Sequence, residues 1–199
     1  RYKDEATRFG LGSFKALGGA YAVARLLARK IGEALGREVS MAEVTQVAHP
    51  DEAAKITVCC ATDGNHGRSV AWGAQNFGCA CVIFIHATVS EGRKAAIEAY
   101  GAEVRRCAGN YDDSVREAQE TATREGWFVV SDTSYEGYME IPKDVMQGYE
   151  VMAAEAYDAL SEPPTHVFLQ TGVGGMAAAV AAQAVRRYGV ARPTIVPSA

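Results

Sequence analysis

No stretch of this 199-residue sequence approaches the roughly 20 consecutive apolar residues that a membrane-crossing helix needs. An excess of basic charge is also missing, since 20 Lys and Arg stand against 24 Asp and Glu, a formal net charge of −4. That balance gives no electrostatic reason to expect a nucleic acid or an anionic membrane as partner. The five cysteines, at 59, 60, 79, 81 and 107, are odd in number and include no C-x-x-C pair. Neither a disulfide framework nor a zinc site is therefore indicated, and no metal is expected. Cys59 and Cys60 lie in the apolar run Ile56–Ala61, and Cys79 and Cys81 open another. Buried free thiols in a reducing, cytoplasmic setting are the expectation. Internal repeats and low-complexity tracts are absent. The four histidines are scattered, and only His66 falls inside a motif. No leader-like segment precedes the first motif, and the first residue is Arg1, so the chain is expected to start within a longer protein.

What is present is an alternation of short apolar runs and helical patterns. Strands are expected at Ile56–Ala61, Cys79–Ile85, Glu103–Cys107, Phe128–Ser131 and His166–Thr171. Helices are expected between them, at His66–Phe77, Glu91–Tyr100, Tyr111–Glu125 and Lys143–Ala159. Strands spaced in this way with intervening helices imply right-handed β-α-β crossovers, hence an α/β fold with parallel sheets and flanking helices. Gly78, Gly101 and Gly126 each follow a helical pattern, where a left-handed residue is wanted. The polar stretch Glu38–Lys55 resembles a domain connection, and Ser161-Glu162-Pro163-Pro164 breaks the chain again.

Three segments carry chemistry. In Gly12-Ser13-Phe14-Lys15, Ser13 is a plausible N-cap, which places Lys15 in the first turn of an apolar, periodic helix. A lysine has the wrong charge for a helix start, so something should compensate for it. A partly buried amine there would be shifted toward its nucleophilic, uncharged form, suited to a Schiff base. A solvated lysine whose stem covers the helix end fits the same pattern. Ala61-Thr62-Asp63-Gly64-Asn65-His66-Gly67 runs from a strand into a helix, at the strand end where parallel sheets bind ligands. Asn65 brings an amide and Asp63 a carboxylate, although Asp, Asn and Gly are also ordinary turn and cap residues. Leu169-Gln170-Thr171-Gly172-Val173-Gly174-Gly175-Met176 turns from a strand through glycines into an alanine-rich helix. Its backbone N–H groups can converge on an anion. It has no G-K-[ST], which makes a phosphate-bearing cofactor a better expectation than a nucleoside triphosphate.

In this order, Ser13-Phe14-Lys15, Asp63-Gly64-Asn65-His66-Gly67 and Gly172-Val173-Gly174-Gly175 resemble the motifs of pyridoxal-phosphate enzymes of the tryptophan-synthase β-like, fold-type II family. Within that family the sequence is most similar to the diaminopropionate ammonia-lyases. The resembling segments are Lys3–Leu11, Thr62–Arg68, Ser131-Asp132-Thr133-Ser134-Tyr135-Glu136-Gly137-Tyr138, and Ile141-Pro142 through Met146-Gln147-Gly148-Tyr149. Serine/threonine dehydratases are similar at a greater distance, typically with a small or hydroxyl residue in the place of Asp63.

The resemblance implies pyridoxal 5′-phosphate as cofactor, with Lys15 forming the Schiff base. It implies that Asn65 bonds the phenolic oxygen and that the backbone of Gly172, Val173, Gly174, Gly175 and Met176 holds the phosphate. It implies α,β-elimination on 2,3-diaminopropionate to give pyruvate and ammonia, with a small amino acid as substrate and a homodimer when full length. Asp63 and Asp132 are then the candidate carboxylates: an amine leaves well only when protonated, and a carboxylate also attracts the substrate's distal ammonium. Asp132 reads equally as a turn former.

The family is roughly twice this length, on the scale of two domains. The later segment whose Ser or Thr faces the pyridine nitrogen does not occur here, and Val196 stands where an acidic residue usually precedes the proline. A partial chain is therefore expected. Residues 1–52 and 163–199 would belong to the larger cofactor-binding domain and 53–162 to a smaller α/β domain. Two readings of another class remain open, a nucleotide-binding α/β module and a fragment without activity.

Overall fold

In the computed structural model, which describes residues 1–198, the chain forms two separate parallel sheets with helices packed around them. Ala199, the last residue of the expected larger domain, lies outside the described residues. The first sheet contains β1 (Thr57–Ala61), β2 (Ala80–Ile85), β3 (Glu103–Arg106) and β4 (Phe128–Val129), in the order β3-β2-β1-β4. Every neighbouring pair is parallel, with Thr57 opposite Ala80 and Val82 opposite Glu103. The second contains β5 (His166–Gln170) and β6 (Thr194–Ser198), also parallel, with Phe168 opposite Val196.

Side-chain alternation divides the first sheet between two apolar clusters. Val58, Cys60, Cys81, Ile83 and Ile85 join one, whereas Cys59, Val82 and Phe84 join another with Cys107, Ala118 and Ala122. A strand buried on both faces reads as a continuous apolar run, which is why β1 and β2 were visible in the sequence. All five thiols are free; four are buried and Cys79 is partly buried.

The helices are α1 (Lys15–Leu35), α2 (Met41–Thr45), α3 (Pro50–Ala53), α4 (Asn65–Phe77), α5 (Glu91–Glu98), α6 (Tyr111–Glu125), α7 (Glu140–Asp158) and α8 (Gly175–Tyr188). Gly78, Gly101 and Gly126 have φ of +79°, +76° and +71°, as the helix-end reading requires. Helix α1 lies between α4 and α7. Gly18 on α1 and Gly148 on α7 let that second crossing close: a Cβ on Gly148 would fall within contact of the Leu17 carbonyl, and one on Gly18 would lie 2.7 Å from the Val145 carbonyl oxygen. Two backbones meet there directly, one turn beyond Lys15.

Three expectations are corrected. The stretch Glu38–Lys55 is no loose connection. It folds into α2 and α3 and buries Val39, Val44 and Ala53 in the main core, and Ser40 and Glu43 form a capping box. Ser13 is not the N-cap of α1; Phe14 holds that position, and the Ser13 hydroxyl instead accepts from the Lys15 N–H at 3.2 Å. Strand β4 stops at Val129 rather than Ser131. Here the Tyr138 hydroxyl accepts from the Ser131 N–H at 2.9 Å and donates to the Val129 carbonyl at 2.8 Å, occupying groups that a longer ladder would have used. Among the described residues, no helix is long and apolar enough to cross a membrane.

Candidate active site

Lys15 is the first residue of α1, and its Nζ lies 2.6 Å from Oδ2 of Asp132, 117 positions away in sequence. Asp132 follows β4, just past the turn that Tyr138 holds. This carboxylate is the compensation that the placement of Lys15 at a helix start calls for. The amine also sits 5.6 Å from the Phe14 ring centre and 5.8 Å from that of Tyr149. Those two rings meet edge to face at 5.0 Å. A quarter of the Lys15 side chain is exposed (25%), against 12% for Asp132.

The carboxyl of Asp132 is subject to opposing influences. Burial pushes it up, but the electrostatic influence of neighbouring His66 and Lys15 and the Lys15 hydrogen bond outweigh burial and leave it below the usual carboxylate range. His66 approaches from the start of α4, with Nδ1 3.7 Å from Asp132 Oδ2. Its Nε2 donates to the Val130 carbonyl at 2.8 Å. Thr62 supports this helix start, its hydroxyl accepting from the N–H groups of Gly64 and Gly67, each at 3.0 Å. Tyr111 also feels Asp132: burial first, then the carboxylate, push its hydroxyl up to about 12.

The glycine loop reaches the same place. Gly174 has φ +87°, a conformation that L side chains rarely adopt, and it precedes α8 with no side chain capping the helix. A Cβ on Gly175 would lie 3.9 Å from the Asp132 carbonyl oxygen and 3.9 Å from the Tyr149 ring. Three helix starts, of α1, α4 and α8, thus gather around Asp132. Val173 is exposed, and Met176 is buried in the main core. Among the described residues, the buried hydroxyls of Tyr149, beside this basin, and of Thr171, just after β5, have no hydrogen-bond partner.

Asp63 is placed differently. Its side chain is 64% exposed, and Oδ1 lies 3.0 Å from His86 Nε2. Thr88 in turn lies 3.0 Å from His86 Nδ1, and Arg93 donates to the Asp63 carbonyl at 3.3 Å. Asn65, the first residue of α4, is exposed. Among the described residues, Asp63 makes no hydrogen bond or ion pair with Lys15 or Asp132. The structure therefore brings Lys15, Asp132 and Gly175 together and leaves the Asp63 carboxylate with His86. Sequence reasoning did not single out His86, Tyr149 or Thr171. His66 was visible only as a motif member, with no signal for the direction of its ring.

Residues 1–198 match the family described as pyridoxal-phosphate dependent enzyme. The chain belongs to that family. It is 46% identical over 189 residues to the diaminopropionate ammonia-lyase of Escherichia coli K12, covering 94% of this chain and 46% of that protein. The Salmonella typhimurium diaminopropionate ammonia-lyase is 41% identical over 201 residues, covering 98% and 49%. A crystal structure of the Escherichia coli enzyme in complex with D-serine superposes with a TM-score of 0.88 at 42% identity, covering 98% of this chain and 50% of that one. The chain spans about half the length of the curated relatives it matches.

The basin fits the cofactor of this pyridoxal-phosphate family on its own chemistry. An aldehyde-bearing cofactor needs an amine, which Lys15 offers. Its phosphate needs backbone donors at an uncapped helix start, and α8 starts after a glycine loop with no side-chain cap. The unpartnered Tyr149 hydroxyl adds a buried polar group on a ring that lies against both Lys15 and Gly175.

Proposed function

We propose that this protein is a pyridoxal-phosphate-dependent lyase that removes the β-amine of 2,3-diaminopropionate as ammonia, after which water hydrolyses the remaining enamine to pyruvate and a second ammonia. The observation that carries this reading is the Lys15 amine, paired with the partly buried Asp132 beside the glycine loop. The names of the relatives support the substrate class, and Asp63 sets it apart from the dehydratase reading.

Lys15 would attach the cofactor through Nζ, Asn65 would bond its phenolic oxygen, and the N–H groups of Gly172–Met176 would hold its phosphate. Bound there, the cofactor supplies a sink for the electron pair left when the α-proton departs. Lys15 Nζ, once the substrate's α-amine has displaced it from the cofactor, would take that proton on one face of the substrate. The Asp63 carboxylate serves the other face and delivers a proton to the departing β-amine. Asp132 keeps the Lys15 amine oriented and offers negative charge to the substrate's distal ammonium. Two acid–base groups on opposite faces allow both enantiomers to react.

The proposal includes three features supported by the family resemblance: a homodimer, a cytoplasmic location, and a larger domain (1–52 and 163–199) beside a smaller one (53–162). The separation of the two sheets accords with that division. The test is to incubate the full-length protein with pyridoxal phosphate and each enantiomer of 2,3-diaminopropionate, and to measure pyruvate and ammonia. Turnover of both enantiomers is expected; turnover of serine or threonine alone would replace the substrate assignment.

A further inference from the structure

His66 is a buried titratable group to which the proposed chemistry gives no task, and its surroundings constrain its protons. Nε2 faces the Val130 carbonyl at 2.8 Å, and a carbonyl can only accept, so Nε2 carries a hydrogen. In a neutral ring Nδ1 would then be a bare lone pair. Nδ1 is buried without a hydrogen-bond partner, and the charged atom facing it is Asp132 Oδ2 at 3.7 Å. Two acceptors facing each other in a desolvated basin repel. A second proton, on Nδ1, turns that repulsion into attraction.

We propose that His66 is an imidazolium and, with Lys15, clamps the Asp132 carboxylate from two sides. His66 is thereby a positioning residue. It keeps Asp132 ionised and turned toward the Lys15 amine, at a site whose chemical role rests on the function proposed above. The positive end of α4 disfavours a cation at this position, and the carboxylate offsets that cost. The other groups facing Asp132 do not compete for the role. Burial pushes up the hydroxyls of Tyr111 on α6 and Tyr149 on α7, and the Cys60 thiol on β1, so all three stay neutral near pH 7. One carboxylate opposite two cations leaves net positive charge beside the glycine loop, which suits an anionic, phosphate-bearing cofactor.

The test is nitrogen-15 spectroscopy of the histidine rings in the full-length, cofactor-free protein near neutral pH. The His66 signals are identified by their loss in His66→Gln. Hydrogens on both ring nitrogens are expected in the wild type, with the Nδ1 hydrogen lost in Asp132→Asn. A neutral His66 ring in the wild type would overturn the clamp. His66→Gln keeps an amide able to donate to Val130 but has no charge. In that variant the Asp132 carboxyl carbon is expected to titrate at higher pH than in the wild type, and an unchanged titration would also overturn the clamp. Should this variant fail to fold, His66→Asn supplies the assignment of the His66 signals, and wild type against Asp132→Asn still decides. These readings need neither cofactor nor turnover, so they stand or fall separately from the lyase assignment.

Discussion

Asp132 and Asp63 follow the carboxyl ends of two neighbouring parallel strands, β4 and β1, yet their environments are opposite. Asp132 is largely enclosed between an amine and an imidazole, with its carboxyl held below the usual range. The Asp63 side chain is mostly exposed, and its carboxylate pairs with a histidine at the rim. A strand end therefore puts a carboxylate near a ligand without deciding its task. Burial decides that. A locked carboxylate can orient a neighbour, whereas an exposed one is free to meet a substrate and exchange a proton with it.

The comparison breaks first at the amine. Lys15→Ala should abolish cofactor attachment and turnover completely, read as the loss of visible absorbance and of borohydride-trapped cofactor. Unchanged trapped cofactor would mean that Asp132 orients something else.

The exposed carboxylate supplies the next effect. Removing one positioned acid–base group typically costs about 10²–10⁴-fold in rate. Asp63→Asn should retain the attached cofactor and lose turnover on that scale, unequally for the two enantiomers. Near-normal rates on both would transfer the proton work to Asp132 or to the cofactor phosphate and erase the proposed division of labour.

The smallest effect sharpens the contrast through stability. A carboxyl whose folded-state value lies below its unfolded value of about 3.9 contributes stability that is fully present above that value. The contribution is lost as pH falls through the depressed folded value. Denaturant midpoints of the wild type should therefore fall in acid with a component that Asp132→Asn lacks. Asp63→Asn should leave that component in place. Identical acid profiles for wild type and Asp132→Asn would show that the buried pair contributes nothing to folding.

How much of this was legible follows from the distance over which each feature is encoded. β1 and β2 were visible because burial on both faces makes each a continuous apolar run. α6 was bounded correctly, at Tyr111–Glu125, because its capping box and terminal Gly126 are local signals. α2 and α3 were missed because Val39, Val44 and Ala53 are isolated apolar residues in a polar stretch. The end of β4 depends on a hydroxyl from Tyr138, and nothing in Phe128–Ser131 foretells it. In the site, Lys15 and the glycine loop announce themselves by local context. The pairing of Lys15 with Asp132 spans 117 positions and exists only once α1, β4 and α7 have packed. The turn of the His66 ring toward Asp132 is equally a product of packing.

The five thiols have a practical consequence. Four are buried and one is partly so, and burial pushes Cys59 and Cys79 up to about 12. Since only the thiolate attacks an alkylating reagent, the four buried thiols of the closed molecule are shielded from one near neutral pH. Reaction requires the sheet to open. The chain thus carries its own clock for breathing motions, with no introduced probe: the rate at which added mass appears reports how often the interior is visited by solvent. The size of each mass step tells more. Steps of one or two would mean that the strands peel away one at a time, since Cys59 and Cys60 share β1, and a jump of four would mean that the sheet comes apart as one unit.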